Sequence, residues 1–317
     1  MVANVDKMMY VGKEPWHGEG TRLENVATSA DAIVAAGLDW NVDKRQVQYL
    51  SADGESKNYK GKFVTVRADR EIPLGIVGHI YRPLQNKEAF SFFDAVVGTK
   101  EAMYHTAGSL GKGEKVWILA QLPGSIQVTH EDKVEKYLLL ANSHDGSSAV
   151  EMMFTPIRVV CQNTLNMALN SYEQGKKIRM RHTISLGQKV LDVREQLGII
   201  NNQYNMFEEL SQKMVGIQQN QKEFIAYLEQ IGVITKEEDE TYSKQTEQKI
   251  EDMVYLYEHG KGNDMKTVAG TLWASMNAVV EYTDHVRGTD GNRTKSILYG
   301  SGAGIKQKAW DLAVAKL

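Results

Sequence analysis

The chain has 317 residues, 42% of them hydrophobic and 24% charged, with a net charge of −3 and a single cysteine. That balance is ordinary for a globular protein long enough for two domains, and it excludes a polycation, an internal disulfide and a cysteine-rich zinc site. No apolar run approaches twenty residues and the N-terminus lacks a signal-peptide core, so a cytoplasmic chain with no membrane partner is expected.

Near the start, PWHGEG (15–20) sets Trp16 and His17 between a proline and two glycines. It reads as a tight loop with an aromatic anchor or as a tryptophan plugging an edge. Thr28, Ser29 and Asp31 open an alanine-rich helix that stops at Gly37. From Leu38 the rhythm changes to period two. Trp40, Val42, Val47 and Tyr49 form one predicted strand, SADGESKN a polar turn, FVTVRAD a second strand, and Gly75 to Tyr81 a third that ends at Pro83. A helix with Ala89, Phe90, Phe93, Ala95, Val96 and Val97 on its apolar face follows. Strand, strand, strand, helix is an α+β order, not the alternation of a doubly wound sheet.

The turn GSLGKGEK precedes the strand KVWILAQL. No helix follows it to present amides to a phosphate, so it reads as a hairpin connection. YLLLAN (137–142) and Ala149 to Phe154 make another strand pair across SHDGSS, where Asp145-Gly146 is a hairpin signal. The second strand delivers the chain into MMFTPIRVVCQNTLNMALNSY (152–172), a strand running into a helix. It carries Cys161 and, between Ile157 and Val159, Arg158. Cys161 in an apolar run reads as packing. An arginine there must find a partner or face a groove. Lys176, Lys177, Arg179 and Arg181 follow in the most basic segment, with Tyr172 and His182 beside it; as a strand it reads either as a cationic face for single-stranded nucleic acid or as an ordinary solvated edge.

Beyond Ser185 the pattern is helical. Apolar positions from Val190 to Met214 predict one long amphipathic helix, and Lys222 to Ile231 another helix or a short packing segment. Residues 236–252 are acidic and read as a solvated helix start that continues to Tyr257. Thr271 to His285 is a further helix. In the tail, Arg293, Lys295, Lys306 and Lys308 flank YGSGAGIKQKAW. Gly300, Gly302 and Gly304 are expected to precede a helix over 305–315. They form either an anion-binding loop or a flexible connector. A Walker loop is excluded, because Ile305 stands where a lysine is required.

The eight histidines form no HxxxH or HExxH pair, and no GxSxG elbow, kinase set or dinucleotide fingerprint occurs. No catalytic residue, metal or cofactor is therefore assigned, and an enzyme has no support in motifs. Two domains are expected: an α+β core over 1–185, with an N-terminal antiparallel meander and packed helices, and a mainly helical half over 186–317 with a basic, glycine-rich tail.

PWHGEG, TPIRVVCQNTL, and NAVVEYTDHVRG followed by NRTKSILYGSGAGIKQKAWDLA resemble the phage/plasmid-like protein family, catalogued as domain of unknown function nine-three-two. The resemblance spans nearly the whole chain and implies a setting in phages and mobile elements, with no established activity. The predicted topology is also similar to that of phage single-strand annealing recombinases, which form rings or filaments and lay DNA along a basic groove. That similarity assigns no residues.

The function expected is phage or plasmid DNA metabolism: binding of single-stranded DNA by a homo-oligomer, with annealing as a further activity. Arg158, Lys176, Lys177, Arg179 and Arg181 would meet the backbone, Tyr172 and His182 would stack on bases, and Arg293, Lys295, Lys306 and Lys308 would form a second contact zone. The alternative is a counter-defence or host-takeover factor that binds a host or phage protein through its amphipathic helices and acidic run. A third reading is an enzyme acting on a phosphorylated small molecule through GSGAGIK.

Overall fold

The computed structural model describes residues 5–12, 20–24, 28–97, 103–158, 178–182, 193–288, 296 and 300–317. In chain order, β1 (Val5–Val11) pairs in parallel with the three-residue β2 (Thr21–Leu23), Met9 lying opposite Thr21. Helix α1 (Ser29–Ala35) starts where the Thr28 hydroxyl accepts the Asp31 amide, which satisfies one orphan donor of the first turn. β3 (Val42–Leu50), β4 (Ser56–Arg67) and β5 (Ile72–Gly78) then form an antiparallel sheet of their own. Helix α2 (Asn86–Val97) follows.

The larger sheet is completed by β6 (Met103–Leu110), β7 (Lys115–Gln127), β8 (Lys133–Ser143), β9 (Val150–Phe154), β10 (Ile157–Arg158) and β11 (Ile178–Met180). Its order is β11-β9-β8-β7-β6-β1-β2, with β10 paired to β8. The helices of the second half are α3 (Val193–Val215), α4 (Gln221–Gln230), α5 (Lys244–His259), α6 (Leu272–Glu281) and α7 (Ser301–Ala315). A π-helical turn, Tyr282–Val286, continues α6. The class is α+β, as the strand and helix order implied.

The chain divides into two compact units, each assembled from separate stretches. One takes Met1–Pro123, Leu138–Met153 and Lys177–Gly198; the other takes Gly124–Tyr137, Phe154–Lys176 and Ile199–Leu317. In the first unit the core is aliphatic and aromatic, with Met9, Ala32, Leu38, Phe90, Ala107, Ile118 and Leu140 buried. Among the described residues one charged group is buried there too. Arg67 donates to Asp6 (2.6 Å), to Asp69 (2.8 Å) and to the Lys112 carbonyl, and lies 4.4 Å from the Trp40 ring centre. A buried guanidinium is tolerated because its donors are matched in this way.

The second unit is stitched by aromatic rings. Phe207 stacks on Trp310 (5.0 Å, 8°) and meets Trp273 and Phe154 edge-on. Three of the buried polar rings in this core reach an acceptor: Tyr227 the Ala309 carbonyl, Tyr257 the Gln219 carbonyl, Trp273 the Asp132 carboxylate. Burying a large ring is favourable only when its polar atom is satisfied.

Three expectations about elements change. The acidic run does not open a helix: residues 235–243 are turn and coil, Glu240 takes a left-handed φ of 65°, and α5 starts at Lys244 under the Ser243 cap. β4 begins at Ser56, so SKNYKGK is strand and the turn expected there is shorter. Helix α7 begins at Ser301, four residues before Ile305, which places Gly302 and Gly304 inside the helix.

Candidate nucleic-acid interface

The expected site residues fall into three groups. Tyr172, Lys176, Lys177, Arg293, Lys295 and Cys161, with residues 15–19 and the helix expected over 163–172, lie outside the described residues. Arg158 sits in β10 opposite Val134, Arg179 in β11 opposite Glu151, and Arg181 is exposed just after that strand. Lys308 is exposed on α7.

The remaining assignments are corrected. Lys306 is fully buried and donates to Asp284 at 2.9 Å, so its charge is used inside the second unit and does not face a phosphate. His182 is 6% exposed and already stacked on Tyr81 (4.6 Å, 25°), which leaves no ring face for a base. The glycines do not form an open anion loop. The Gly302 amide donates to the Ser296 hydroxyl and the Gly304 amide to the Gly300 carbonyl. Gly302 is closely packed, since a Cβ there would stand 3.0 Å from the Thr283 methyl and the Ser296 carbonyl.

A surface outside the basic segments, on β3 and β4, combines exposed rings with exposed cations. Tyr49 is 50% exposed and Tyr59 52%, and the rings meet edge-on at 6.4 Å. Tyr49 pairs with Lys57, and strand alternation returns Tyr59 to the same face. The same alternation places Arg45 and Val47 with Tyr49. Arg45 lies opposite Val64, Val64 opposite Ile76, and Lys62 opposite Gly78. The outer face of this sheet therefore carries two aromatic rings, apolar Val64 and Ile76, and three cations. The inner face is turned to the unit's core: Thr65 and Arg67 are buried there, and the Thr65 hydroxyl donates to the His144 carbonyl at 2.7 Å.

The strands depart from regular pairing at one place. Gln46 lies opposite Phe63 and Gln48 opposite Asn58, so residue 47 faces four residues, 59–62. The extra length is closed by the Gln46 side chain, whose amide reaches the carbonyls of Tyr59 (2.8 Å), Lys62 (3.0 Å) and Val47 (3.3 Å). Gly61 supplies the left-handed φ of 76° that the bulge needs. Beyond it, Gln48 donates to Asn58 and accepts from Ser56, which holds the ribbon end without an apolar core.

Behind the ribbon is a buried polar cluster. His144 Nε2 lies 3.0 Å from Asn86 Oδ1, and the Asn86 amide donates to the carbonyls of Leu38 and Trp40. The asparagine oxygen is thus the acceptor and His144 the Nε2–H tautomer. His144 Nδ1 and Asn142 Oδ1 have no hydrogen-bond partner among the described residues. Burial, with His182 nearby, pulls His144 down to about 3, while Asp145 opposes the shift. Burial also pulls His182 below its usual value. Both rings are neutral in the folded protein, whereas in the unfolded chain they take up protons below about pH 6.5. Their contribution is complete above that pH and is lost as pH falls toward the folded value. For His144 alone, lowering the pH from 7.5 to 4.5 is expected to remove about 2–3 kcal/mol of stability. Urea unfolding at the two pH values checks this. His144→Asn should be less stable at pH 7.5 and lose less between the two.

Among the described residues no group of three or more histidine, cysteine or acidic side chains is placed to hold a metal, and no helix is long and apolar enough to cross a membrane. A protein-family model described as a domain of unknown function (DUF932) matches residues 73–303. Strands β3 and β4 lie before the matched segment. Neither a curated protein nor a solved structure matches the chain.

Proposed function

We propose that this chain, which belongs to the DUF932 family, binds single-stranded nucleic acid across the outer face of its three-stranded sheet. The observation that carries this reading is the half-exposed Tyr49–Tyr59 pair on a face shared with Arg45, Lys57 and Lys62. Aromatic rings offer a stacking surface to any base, and cations beside them track the phosphates, so such a face is tolerant of sequence. It selects against duplex, because paired bases are stacked on one another and present no free face. Contacts of this kind leave the pairing edges of the bases unread. Annealing of complementary strands by a homo-oligomer is compatible with them and requires no nucleotide hydrolysis.

The test is fluorescence anisotropy of a labelled oligothymidine and of a duplex of equal length, across a salt series. Binding of the single strand should weaken as salt rises and be at least about tenfold tighter than binding of the duplex. Absence of single-strand binding at about 50 mM salt, where phosphate contacts are strongest, would overturn the proposal.

A further inference from the structure

The charges on the ribbon are not equivalent. Lys44 donates to the carbonyls of His79 and Tyr81 and lies 4.4 Å from the Phe63 ring centre. Arg45 is held by Asp43 at 2.7 Å and Glu71 at 2.5 Å, and Glu71 is drawn below the usual carboxylate range by its hydrogen bond with Arg45. Lys57 faces Asp53 at 3.5 Å and Glu55 at 3.8 Å. Lys60 and Lys62 form no ion pair among the described residues, and both are exposed. They flank Gly61, above which a Cβ would meet nothing within 4 Å, so the backbone between the two lysines is open.

From this asymmetry we infer that the Tyr59–Lys62 bulge is the phosphate seat of the interface, with Gln46 as its positioning residue. The inference rests on the nucleic-acid reading above and narrows it to two lysines and one amide. A cation that already faces a carboxylate gains little from a phosphate, because the old partner must be given up and the exposed pair is screened in any case. A lysine with no carboxylate beside it displaces a condensed counterion in full. Gln46 contributes twice. It fixes the bulge from which both lysines project, and it engages the Tyr59 and Lys62 carbonyl oxygens, whose negative ends would otherwise repel an arriving phosphate. The stacking ring Tyr59 is the first residue of the same bulge, so base and phosphate contacts are one residue apart along the chain.

The experiment is the slope of log affinity against log salt for labelled oligothymidine. Lys60→Ala/Lys62→Ala should reduce the slope by about 1.4, because each phosphate that a single strand no longer places on a lysine lowers it by roughly 0.7. Affinity at moderate salt should fall about tenfold or more. Gln46→Ala should reduce the slope in the same direction with its thermal melt unchanged, a pattern that a general loss of fold cannot produce. Lys222→Ala, which removes an exposed lysine on α4 and none on the sheet, should leave the slope as it is. An unchanged slope for the double-lysine variant, with binding still dependent on Tyr49 and Tyr59, would overturn the phosphate seat and leave the interface standing. Failure of the wild-type chain to bind any single strand would remove both.

Discussion

Lys306→Ala is expected to destabilise the second unit by about 3–5 kcal/mol, the cost of breaking a buried ion pair by removing one partner. The ammonium is fully buried, the Asp284 side chain is 2% exposed, and the two are 2.9 Å apart. Removing the lysine takes an ion-pair partner from a carboxylate whose side chain is 2% exposed. Asp284→Ala does the converse and should cost a similar amount. Since domains of this size are stable by only about 5–15 kcal/mol, either change uses much of the margin. Lys306→Met/Asp284→Leu, which removes both charges and keeps volume, should recover a large part of the loss. Urea unfolding of the three variants checks the set. Single variants within about 1 kcal/mol of wild type, the range of exposed ion pairs, would show that the pair is not buried as described.

The pair also ties two elements together. Asp284 lies in the π-helical turn that continues α6, and Lys306 in α7, whose glycine-containing first turn is pressed against Thr283. A methyl group at Gly302 would stand 3.0 Å from both the Ser296 carbonyl and the Thr283 methyl, so these neighbours would have to give by a few tenths of an ångström to admit it.

Replacing both ribbon tyrosines is expected to have the largest effect on binding. Stacking contributes about 1–3 kcal/mol per base, so Tyr49→Ala/Tyr59→Ala should weaken single-strand affinity by roughly a hundredfold or more. Both rings are about half exposed, and exposed substitutions usually change stability by within about 0.5 kcal/mol. The melt should therefore stay close to wild type while binding is lost. Tyr49→Phe/Tyr59→Phe keeps the ring faces and should bind nearly as wild type. Equal loss in the alanine and phenylalanine variants would point to the phenol hydroxyls and against stacking.

Much of the fold is legible in the sequence because burial imposes period. Phe63, Thr65 and Arg67 alternate with Val64 and Val66, and the inner set does face the core. The helices from Val193 to Glu281 follow their apolar stripes, and Thr28, Ser243 and Thr271 cap where hydroxyl residues precede a helix. The ribbon end is not legible, for the opposite reason. Residues 56–62 are exposed on both faces, so no apolar alternation marks them. Their strand geometry depends on Gln46, Gln48 and Asn58, whose partners are apparent only once the strands are paired. The three residues of β2 are too few to show any period.

Charge density along the chain points to a site, but density is a poor guide to exposure. Lys306 belongs to a basic tail in sequence, yet its partner Asp284 lies 22 residues earlier and draws it inside. Lys60 and Lys62 stand in a polar stretch that carries no signal of its own in the sequence. What distinguishes them from Arg45 and Lys57 is that, among the described residues, neither has an acidic side chain paired with it, a property of the folded sheet. The Gly300–Gly304 spacing suggests a loop because glycine is common in loops. In the structure, Gly302 answers to close packing at a helix start.

The most direct test of the interface is photochemical cross-linking of an oligonucleotide carrying 5-iodouracil, followed by mapping of the modified peptides. Such a base bonds to an aromatic ring on which it stacks. Adducts are expected on Tyr49 or Tyr59, reduced by high salt and by competing unlabelled single strand. Adducts confined to other segments, with both ribbon tyrosines unmodified, would contradict a nucleic-acid interface on this sheet.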